Sequence, residues 1–568
     1  MDVNRSPGPD APTRFLTHPL RIRVPQYCPP CDRRSGIMTD GRACPSPTGD
    51  RHRGRAVALG VLVALIGGCA VGPSFVRPAP PNVTTYTAEG TAPNLVPGAS
   101  EPSQRLLTGQ AIPAAWWRLF RSPALDTVVR QALSASPTIS AAKARLAQAQ
   151  QLVAQARGAY YPQIDAGASA ERLKGPPIAL GIRPNHNLPT FNLYSVGTIA
   201  SFDPDVFGLT ARQVEKRAAQ AETRVYQLAA AQLAVSGNAV TAAITAASLR
   251  SQIHAAEALV AADRNTLALV REKFAVGKVA RTHPLAAEFQ LSNDRALLPP
   301  LRQRLAAAED ALATLVGELP AQWTPPALTL ADFTLPTKLP VSLPSALVRH
   351  RPDILAAQAR LHASSAAVGV ADARMYPDFR LSASFGTAAL AATSLGEGAN
   401  LVWTLASGLT APIFHGGSLR AQKRAAVAQF HATLAIYRQT VLVSFQQVAD
   451  VLRALGHDAE LVNAARHALD ASRSTLSLQR LRYRAGKTSR LRLLAAERRY
   501  QEARLRYIQA KGNRYLDSAQ LFVALGGGGW VNPTRCTECS VPSGATGNGN
   551  RSYSATPGPE YRHESMNR

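Results

Sequence analysis

Two very long helical patterns dominate the distribution of apolar and polar positions along the chain. From about 209 to 275 there is no proline, and apolar residues recur at helical spacing; the stretch 418–484 repeats this pattern. At 1.5 Å per residue, each stretch predicts an α-helix on the order of 100 Å long. Glycines 277 and 486 mark the ends of these helices. Return helices are predicted over 285–316, with an interruption at Pro299-Pro300, and from the second turn to Leu525.

Shorter elements precede each long helix. One helix is predicted from Trp116, with Ser122-Pro123 as a cap, to about Ala159, and another over 345–374. After each of them, small or apolar residues alternate with polar ones, which is typical of strands. The predicted strands are 163–173, 190–202, 378–388 and 400–410. Each pair of strands predicts a hairpin, and a long loop over 175–189 connects the first pair.

The second group of elements repeats the first. The stretch 136–169 lies without a gap over 351–384, and Tyr161-Pro162 matches Tyr376-Pro377. Two copies of this length are too few and too long for a solenoid, whose repeats run roughly 20 to 50 residues. The sequence therefore predicts a pseudo-symmetric body of two repeats. Its predicted parts are an extended segment over 69–115, repeats over 116–335 and 336–530, and a disordered tail over 531–568.

The N-terminal region predicts export and lipidation. A basic segment, 51–55, precedes an apolar run of signal-peptide length over 56–66, and the small residues before Cys69 resemble a bacterial lipobox. Residues 1–68 would then be an upstream extension and a signal peptide. Cleavage before Cys69 would leave a diacylglycerol on its thiol and an N-acyl lipid on its new amine, whereas an ordinary signal peptide with an incidental cysteine is the alternative. Ala70, where an Asp is lacking, favours the outer membrane.

Composition limits the possible functions. The chain has 568 residues, of which 46% are hydrophobic and only 6% aromatic, and its formal charge is +26. Part of that charge lies before the cleavage site, and no nucleic-acid-binding motif accompanies it, so nucleic acid is not an expected partner. The sequence contains no HExxH, GxSxG or helix-opening GxGxxG pattern. We therefore expect no enzyme, no metal site and no cofactor apart from the covalent lipid.

The cysteines fall outside the predicted body. None occurs between Ala70 and Val531, which suits an oxidising periplasm. Cys536 and Cys539 could form half of a zinc site, a local disulfide or two free thiols. A signal peptide should begin close to the initiator, so Met38 is a better start than the first methionine.

The four predicted strands need partners. Two short hairpins with exposed edges make no viable sheet. Strands from several chains joined in a closed barrel have no edges, and such a barrel can cross a lipid bilayer. An ordinary α+β core is the alternative. The aromatic residues that would fit a lipid-facing wall with interfacial aromatics are Phe191, Tyr194, Phe379, Phe385 and Trp403.

Taken together, these segments resemble the TolC-type outer-membrane factor family, and within it the NodT-like lipoprotein branch. The resemblance covers 69–526, and its marks include CAVGPSFVRPAPP from Cys69, SFDPDVFG after the second strand and PIFHGGSLRAQKRAA in the second copy. It implies a mainly α fold with a small β part. In this family a homotrimer forms an exit duct, to which each protomer gives four strands of an outer-membrane β-barrel and the long helices of a periplasmic α-barrel.

The resemblance also implies partners at the turns near Gly277 and Gly486, where each long helix reverses into its return helix. We call each such pair of helices a helical hairpin. These turns match the family's periplasmic tips, where a membrane-fusion adaptor linked to an inner-membrane pump docks. The tip residues are Val276, Gly277, Lys278, Ala485, Gly486 and Lys487. The alternative function is a lipid-anchored periplasmic coiled-coil scaffold without a pore, which would have no use for two strand pairs at corresponding positions.

One segment departs from the family's pattern. In better-known members, the segment after the second tip turn carries aspartates that ring a closed periplasmic aperture. Here Arg492 and Ala495 stand at the places of these acids, Arg490 lies just before them, and the first copy has Arg281 and His283 in the corresponding place. A basic constriction built from these aperture candidates would favour anionic cargo. Arginines that point outward would instead meet the adaptor or solvent.

Overall fold

The computed structural model describes residues 70–88, 104–174 and 190–529. The predictions made for Met38, for Cys69 and for the pair Cys536 and Cys539 lie outside the described residues. The same holds for the loop predicted over 175–189 and for the tail over 531–568.

The first half contains the elements predicted for the first copy. The long helix is confirmed at both ends, because Gly208 precedes it in the left-handed conformation and a glycine turn follows it. The elements in chain order are β1 (Arg105–Thr108), a 3-10 turn (Trp116–Phe120), α1 (Pro123–Ala135), α2 (Pro137–Gly158), β2 (Gln163–Leu173), β3 (Phe191–Phe202), α3 (Leu209–Ala275), α4 (Thr282–Arg295) and α5 (Leu298–Val316).

The second half repeats this order with helices of the same length. Helices α2 and α7 both have 22 residues, and α3 and α8 both have 67. The return helix is continuous in this half. The elements are a 3-10 turn (Leu330–Asp332), β4 (Lys338–Val341), α6 (Pro344–His350), α7 (Pro352–Ala373), β5 (Asp378–Ala389), 3-10 turns (Ala392–Ser394 and Gly398–Asn400), β6 (Leu401–Thr410), α8 (Ser418–Arg484) and α9 (Arg490–Ala524).

Two helices that the sequence predicts as continuous are broken at a proline. The helix predicted to run to about Ala159 is divided into α1 and α2 at Ser136-Pro137, and the helix predicted over 345–374 is divided into α6 and α7 at Arg351-Pro352. Proline lacks an N–H, and its ring excludes the residue before it from the helical region. Ser136 and Arg351 accordingly have ψ values of 123° and 121°.

A four-stranded antiparallel sheet joins the two copies. Its order is β2-β3-β5-β6, so the two hairpins pair through β3 and β5. The helices pack in the same order, α2 on α3, α3 on α7, and α7 on α8. The sheet and the helices therefore end on the same two sides, with β2 and α2 at one side and β6 and α8 at the other.

A second pairing was not predicted from the sequence. Strand β1, which lies in the segment predicted to be extended, pairs in parallel with β4, so that Arg105 lies opposite Lys338 and Thr108 opposite Val341. Each of these strands has only four residues. The pair ties the N-terminal segment to the start of the second copy.

The main hydrophobic core joins the two ends of the described body. Trp116 and Phe120, both fully buried, come from the start of the first copy and pack against Phe522 of α9. The rings of Trp116 and Phe522 stack at a centroid distance of 5.4 Å. Burying aromatic side chains of this size contributes more than most other contacts to stability. Removal of the end of α9 would therefore expose the core of the first copy.

Among the described helices, α3 contains a stretch that is long and apolar enough to cross a membrane by length and composition alone. Half of that stretch is buried inside the protein. Core helices pass the same test, and α3 contributes many residues to the main core. We therefore interpret α3 as a packed helix of the body.

Candidate functional site

One face of the four-stranded sheet is mostly apolar. Residues that lie opposite each other in an antiparallel pair point to the same side, so the register places Thr198, Phe385 and Trp403 on one face. Trp403 is 70% exposed and Leu405 is 77% exposed. The apolar members of this face are Ile164, Ala166, Ala168, Ala170, Tyr194, Val196, Ala200, Phe202, Phe379, Leu381, Ala383, Phe385, Ala389, Leu401, Trp403, Leu405 and Leu409.

The opposite face carries mostly small and polar residues. Its polar members are Gln163, Asp165, Ser169, Glu171, Ser195, Ser201, Asp378, Arg380, Ser382, Ser384, Thr404 and Thr410. Strands of 10 to 12 residues with an apolar outer face and a polar inner face have the length and pattern of transmembrane barrel strands. The sheet is therefore suited to a lipid boundary on one side and water on the other.

The structure places four of the five predicted wall aromatics on the apolar face. Tyr194, Phe379, Phe385 and Trp403 lie there, as a single lipid-facing wall would require. Phe191 pairs with Leu173 and lies on the opposite face, so it does not share this wall. The pattern Phe191-Asn192-Leu193-Tyr194 is apolar on both sides, so composition alone could not decide which aromatic faces lipid.

The sheet is open at both edges. Within the described residues, β2 pairs only with β3 and β6 only with β5. The outer backbone groups of β2 and β6 therefore have no strand partner in one protomer. A lipid-exposed edge of this kind is excluded in a membrane, because unpaired backbone groups cannot hydrogen-bond with hydrocarbon.

Comparison with known proteins identifies the family. A model of the family described as "Outer membrane efflux protein" matches residues 128–318 and 343–527. The chain belongs to this family. The pyoverdine export outer membrane protein OpmQ of Pseudomonas aeruginosa is 30% identical over 418 residues, which cover 73% of this chain and 87% of that protein. Nodulation protein T of Rhizobium leguminosarum bv. trifolii is 26% identical over 476 residues, 82% of this chain and 95% of that protein.

A solved channel structure supports the same assignment for this outer membrane efflux protein. The outer-membrane channel OprN has a TM-score of 0.71 and 29% sequence identity, and the match covers 81% of this chain and 100% of that chain. The predicted family, the predicted long-helix and barrel fold and the predicted channel function are therefore confirmed. The alternative of a scaffold without a pore does not account for a sheet with one apolar and one polar face.

The two hairpin turns have the same backbone geometry. Gly277 and Gly486 have φ values of 73° and 67°, a region that favours glycine. The N–H of the residue after each glycine donates to a carbonyl five residues back, Lys278 to Lys273 at 2.8 Å and Lys487 to Arg482 at 2.8 Å. This is the Schellman motif, which ends a helix and reverses the chain. The predicted tip residues therefore lie at two equivalent, exposed turns, and the predicted aperture residues Arg281, His283, Arg490 and Arg492 are exposed just beyond them.

A buried charge cluster, not found from the sequence, links the helical hairpin of α3 and α4 to that of α8 and α9. Arg498 of α9 lies 3.1 Å from Asp263 of α3 and 3.1 Å from Asp294 of α4, and its third nitrogen lies 2.7 Å from Glu502. The side chains of Asp263 and Asp294 are 3% and 10% exposed. One guanidinium of the second copy thus holds two helices of the first copy together.

The pKa values of the two aspartates of this cluster are shifted in opposite directions. Burial, and then the hydrogen bond and charge of Asp294, raise the pKa of Asp263 to about 7. Burial also acts to raise the pKa of Asp294, but hydrogen bonds from Asp263, Gln290 and Arg498 outweigh it and hold that pKa below its usual value. In the second copy, burial and the neighbouring Asp517 raise the pKa of Asp458 to about 7. Each helical hairpin therefore contains one carboxyl group, that of Asp263 or Asp458, with a pKa close to neutrality.

The segment after Cys69 is held against the start of α3. Arg212 donates from Nε to the carbonyl of Val71 at 3.0 Å and from Nη2 to that of Gly72 at 3.1 Å. Its Nη1 pairs with Glu215 at 2.7 Å, and a hydrogen bond from His362 and the nearby Arg212 lower the pKa of Glu215 although burial opposes them. A Cβ at position 208 would lie 2.7 Å from the Cα of Ala70. Ala70 thus packs against Gly208, which follows the last residue of β3 by six positions.

Proposed function

We propose that three copies of this chain close one transmembrane barrel and form the exit duct of a tripartite efflux system, which takes small molecules from an inner-membrane pump and a periplasmic adaptor to the outside. The observation that carries the proposal is that the open edges of the sheet coincide with the outer helices of the protomer. The unpaired sides of β2 and β6 lie on the same sides of the protomer as the outer helices α2 and α8. A neighbour that pairs with a strand edge would also cover a helix edge.

The contact between the two copies inside one protomer supplies a template for the contact between protomers. Strand β3 of the first copy pairs with β5 of the second, and α3 packs on α7. Repeating this step with the next chain would pair β6 with its β2 and pack α8 on its α2. The edges then meet head to tail, which generates a ring. A closed ring removes every edge from the lipid region.

The two tip turns are the proposed docking site of the periplasmic adaptor. They lie at the ends of helices of 67 residues, about 100 Å along the helix from the strands, and both turns present exposed residues. A hairpin end that is exposed and rigidly capped can be contacted without moving the body. Val276-Gly277-Lys278 and Ala485-Gly486-Lys487 would contribute equivalent contacts.

Lipid attachment at Cys69 is proposed to hold the N-terminus at the inner leaflet of the outer membrane. The fixed position of Ala70 close to the end of β3 supports this, because a lipid on the preceding residue would lie beside the periplasmic end of the barrel. Two or more acyl chains anchor a protein stably where a single chain does not, at ~0.8 kcal/mol per buried CH₂. Mass spectrometry of the mature N-terminus should find a triacylated Cys69, and an unmodified Cys69 or cleavage elsewhere would contradict it.

Disulfide trapping in the membrane tests the ring. With Cys536 and Cys539 replaced by serine, Ser169→Cys on β2 is combined in turn with cysteines along β6, such as Thr404→Cys, which shares its polar face. We expect one register of β6 to give disulfide-linked trimers on oxidation. Ser169→Cys alone is the matched control and should give none. Linked dimers that never extend to trimers, or a monodisperse monomer in mild detergent, would contradict the trimeric duct.

A further inference from the structure

The ends of the two hairpins align without a gap but differ in charge. Residues 271–288 and 480–497 share the glycine-lysine turn and an ion pair across the hairpin, Arg271 with Glu288 at 3.3 Å and Arg480 with Glu497 at 3.6 Å. The first end has four Lys or Arg residues and two Glu residues, and the second has six Lys or Arg residues and one Glu residue. The cationic residues of the second end are Arg480, Arg482, Arg484, Lys487, Arg490 and Arg492.

Two cations of the second end, Arg490 and Arg492, lie where they do not stabilise the protomer. Among the described residues, only Arg480 of these six forms an ion pair, and all six are exposed. Arg490 and Arg492 lie in the first turn of α9, which contains no acidic residue. The helix macrodipole disfavours cations at that position. Arg482 and Arg484 lie in the last turn of α8, where the macrodipole favours cations. Folding gives no such reason for Arg490 and Arg492, which leaves these two arginines a role outside the isolated protomer.

The position of this basic end gives it access to cargo. Both hairpin ends lie on the far side of the helices from the strands, where a duct that empties through the barrel must be entered. Three copies would bring three basic ends around one axis. Charges act over a Debye length of about 8 Å at physiological ionic strength, so the arginines influence an ion that passes within about that distance of a tip.

We propose that the basic end of the second hairpin makes the entrance of this channel select anions, and that its cargo consists of small molecules bearing carboxylate or phosphate groups. The proposal rests on the trimeric duct of the preceding section. Clustered charge of one sign at a narrow, low-dielectric opening raises the local concentration of the opposite charge. Guanidinium groups also bind carboxylates and phosphates with paired hydrogen bonds. The entrance would attract anionic solutes and repel cationic ones.

Reversal potentials of the purified trimer in planar bilayers, measured in a potassium chloride gradient, test the proposal. We expect chloride to be more permeant than potassium in the unmodified channel. Arg490→Gln with Arg492→Gln should lower the chloride-to-potassium permeability ratio at least about threefold, since six positive charges leave the entrance. The double lysine variant, which keeps the charge, should preserve the ratio. The matched pair Arg281→Gln and His283→Gln in the first copy should change it less.

The possible outcomes separate the two proposals. A conducting trimer that prefers potassium would overturn the anion-selecting entrance and leave the duct intact. So would an unchanged permeability ratio in the double glutamine variant, because the arginines would then act on the adaptor or solvent. A trimer without any conductance would overturn both the duct and the selective entrance.

Discussion

Helices α2 and α7 are equivalent elements of the two copies, yet they have very different surroundings. Helix α7 is buried along most of its length between α3 and α8, whereas in α2 only Ile139 and Ala149 are buried. Both helices have 22 residues and begin with a proline. The difference shows that one protomer provides a long helix on each side of α7 but on only one side of α2. The α8 helix of a neighbouring protomer would cover the other side of α2.

The largest expected effect is a loss of trimer assembly, and the variants that cause it test whether both copies face lipid in the same way. Leu405→Arg in the second copy and Val196→Arg in the first put a cation on the apolar face of the sheet. An arginine near the bilayer midplane of a barrel costs about 2–4 kcal/mol per chain, so both variants should fail to assemble. Heat-modifiable migration on gels measures assembly. Thr404→Arg, on the polar face next to Leu405, is the control and should assemble; equal loss in all three variants would refute the assignment of faces.

The next effect concerns the link between the two hairpins. Arg498→Ala leaves Asp263 and Asp294 buried without their cation, and we expect a cost of about 1–3 kcal/mol. Hydrogen exchange should become faster in α4 and in the adjoining part of α3. Arg480→Ala breaks an exposed pair and should cost less than about 1 kcal/mol. If the two variants exchange alike, Arg498 does not join the copies.

A smaller effect is expected at the two tip glycines. Gly277→Val and Gly486→Val place a β-branched residue at positive φ, at a cost of about 1–2 kcal/mol each. The strain is local, so trimers should still form while efflux in cells that carry the pump falls. Comparing the two variants shows whether the tips contribute equally to docking. Unchanged efflux in both variants would exclude the tips as the docking site.

The smallest expected effect is a pH dependence of the hairpin link. Between about pH 4 and pH 7, folded Asp263 keeps a proton that the unfolded chain has released, since its pKa is raised to about 7. Stability therefore falls as pH rises through this range and levels off above it. Asp263→Asn should remove that slope from the α4 exchange rates, once these are corrected for intrinsic chemistry. Asp458→Asn in the second copy should leave α4 unaffected; a slope that persists in Asp263→Asn would assign it to another group.

Sequence reasoning succeeded where local signals define an element. The bounds of α3 and α8 follow from glycine turns and from the lack of proline between them, and β2 follows from strict alternation. The breaks before Pro137 and Pro352 were missed because the apolar pattern continues across them. Arg498 was missed for a different reason. Its partners lie more than 200 residues away on α3 and α4, and only the packing of the two copies brings them together.

The coincidence of strand and helix edges has a genetic consequence. In a ring closed head to tail, each protomer depends on the β2 edge of one neighbour and the β6 edge of the other, so a single faulty edge interrupts the whole ring. When defective and normal chains are made in equal amounts and mix at random, only about one trimer in eight contains normal chains alone. Defects on these edges should therefore be dominant, whereas a variant that prevents the protomer from folding never enters a ring and should be recessive.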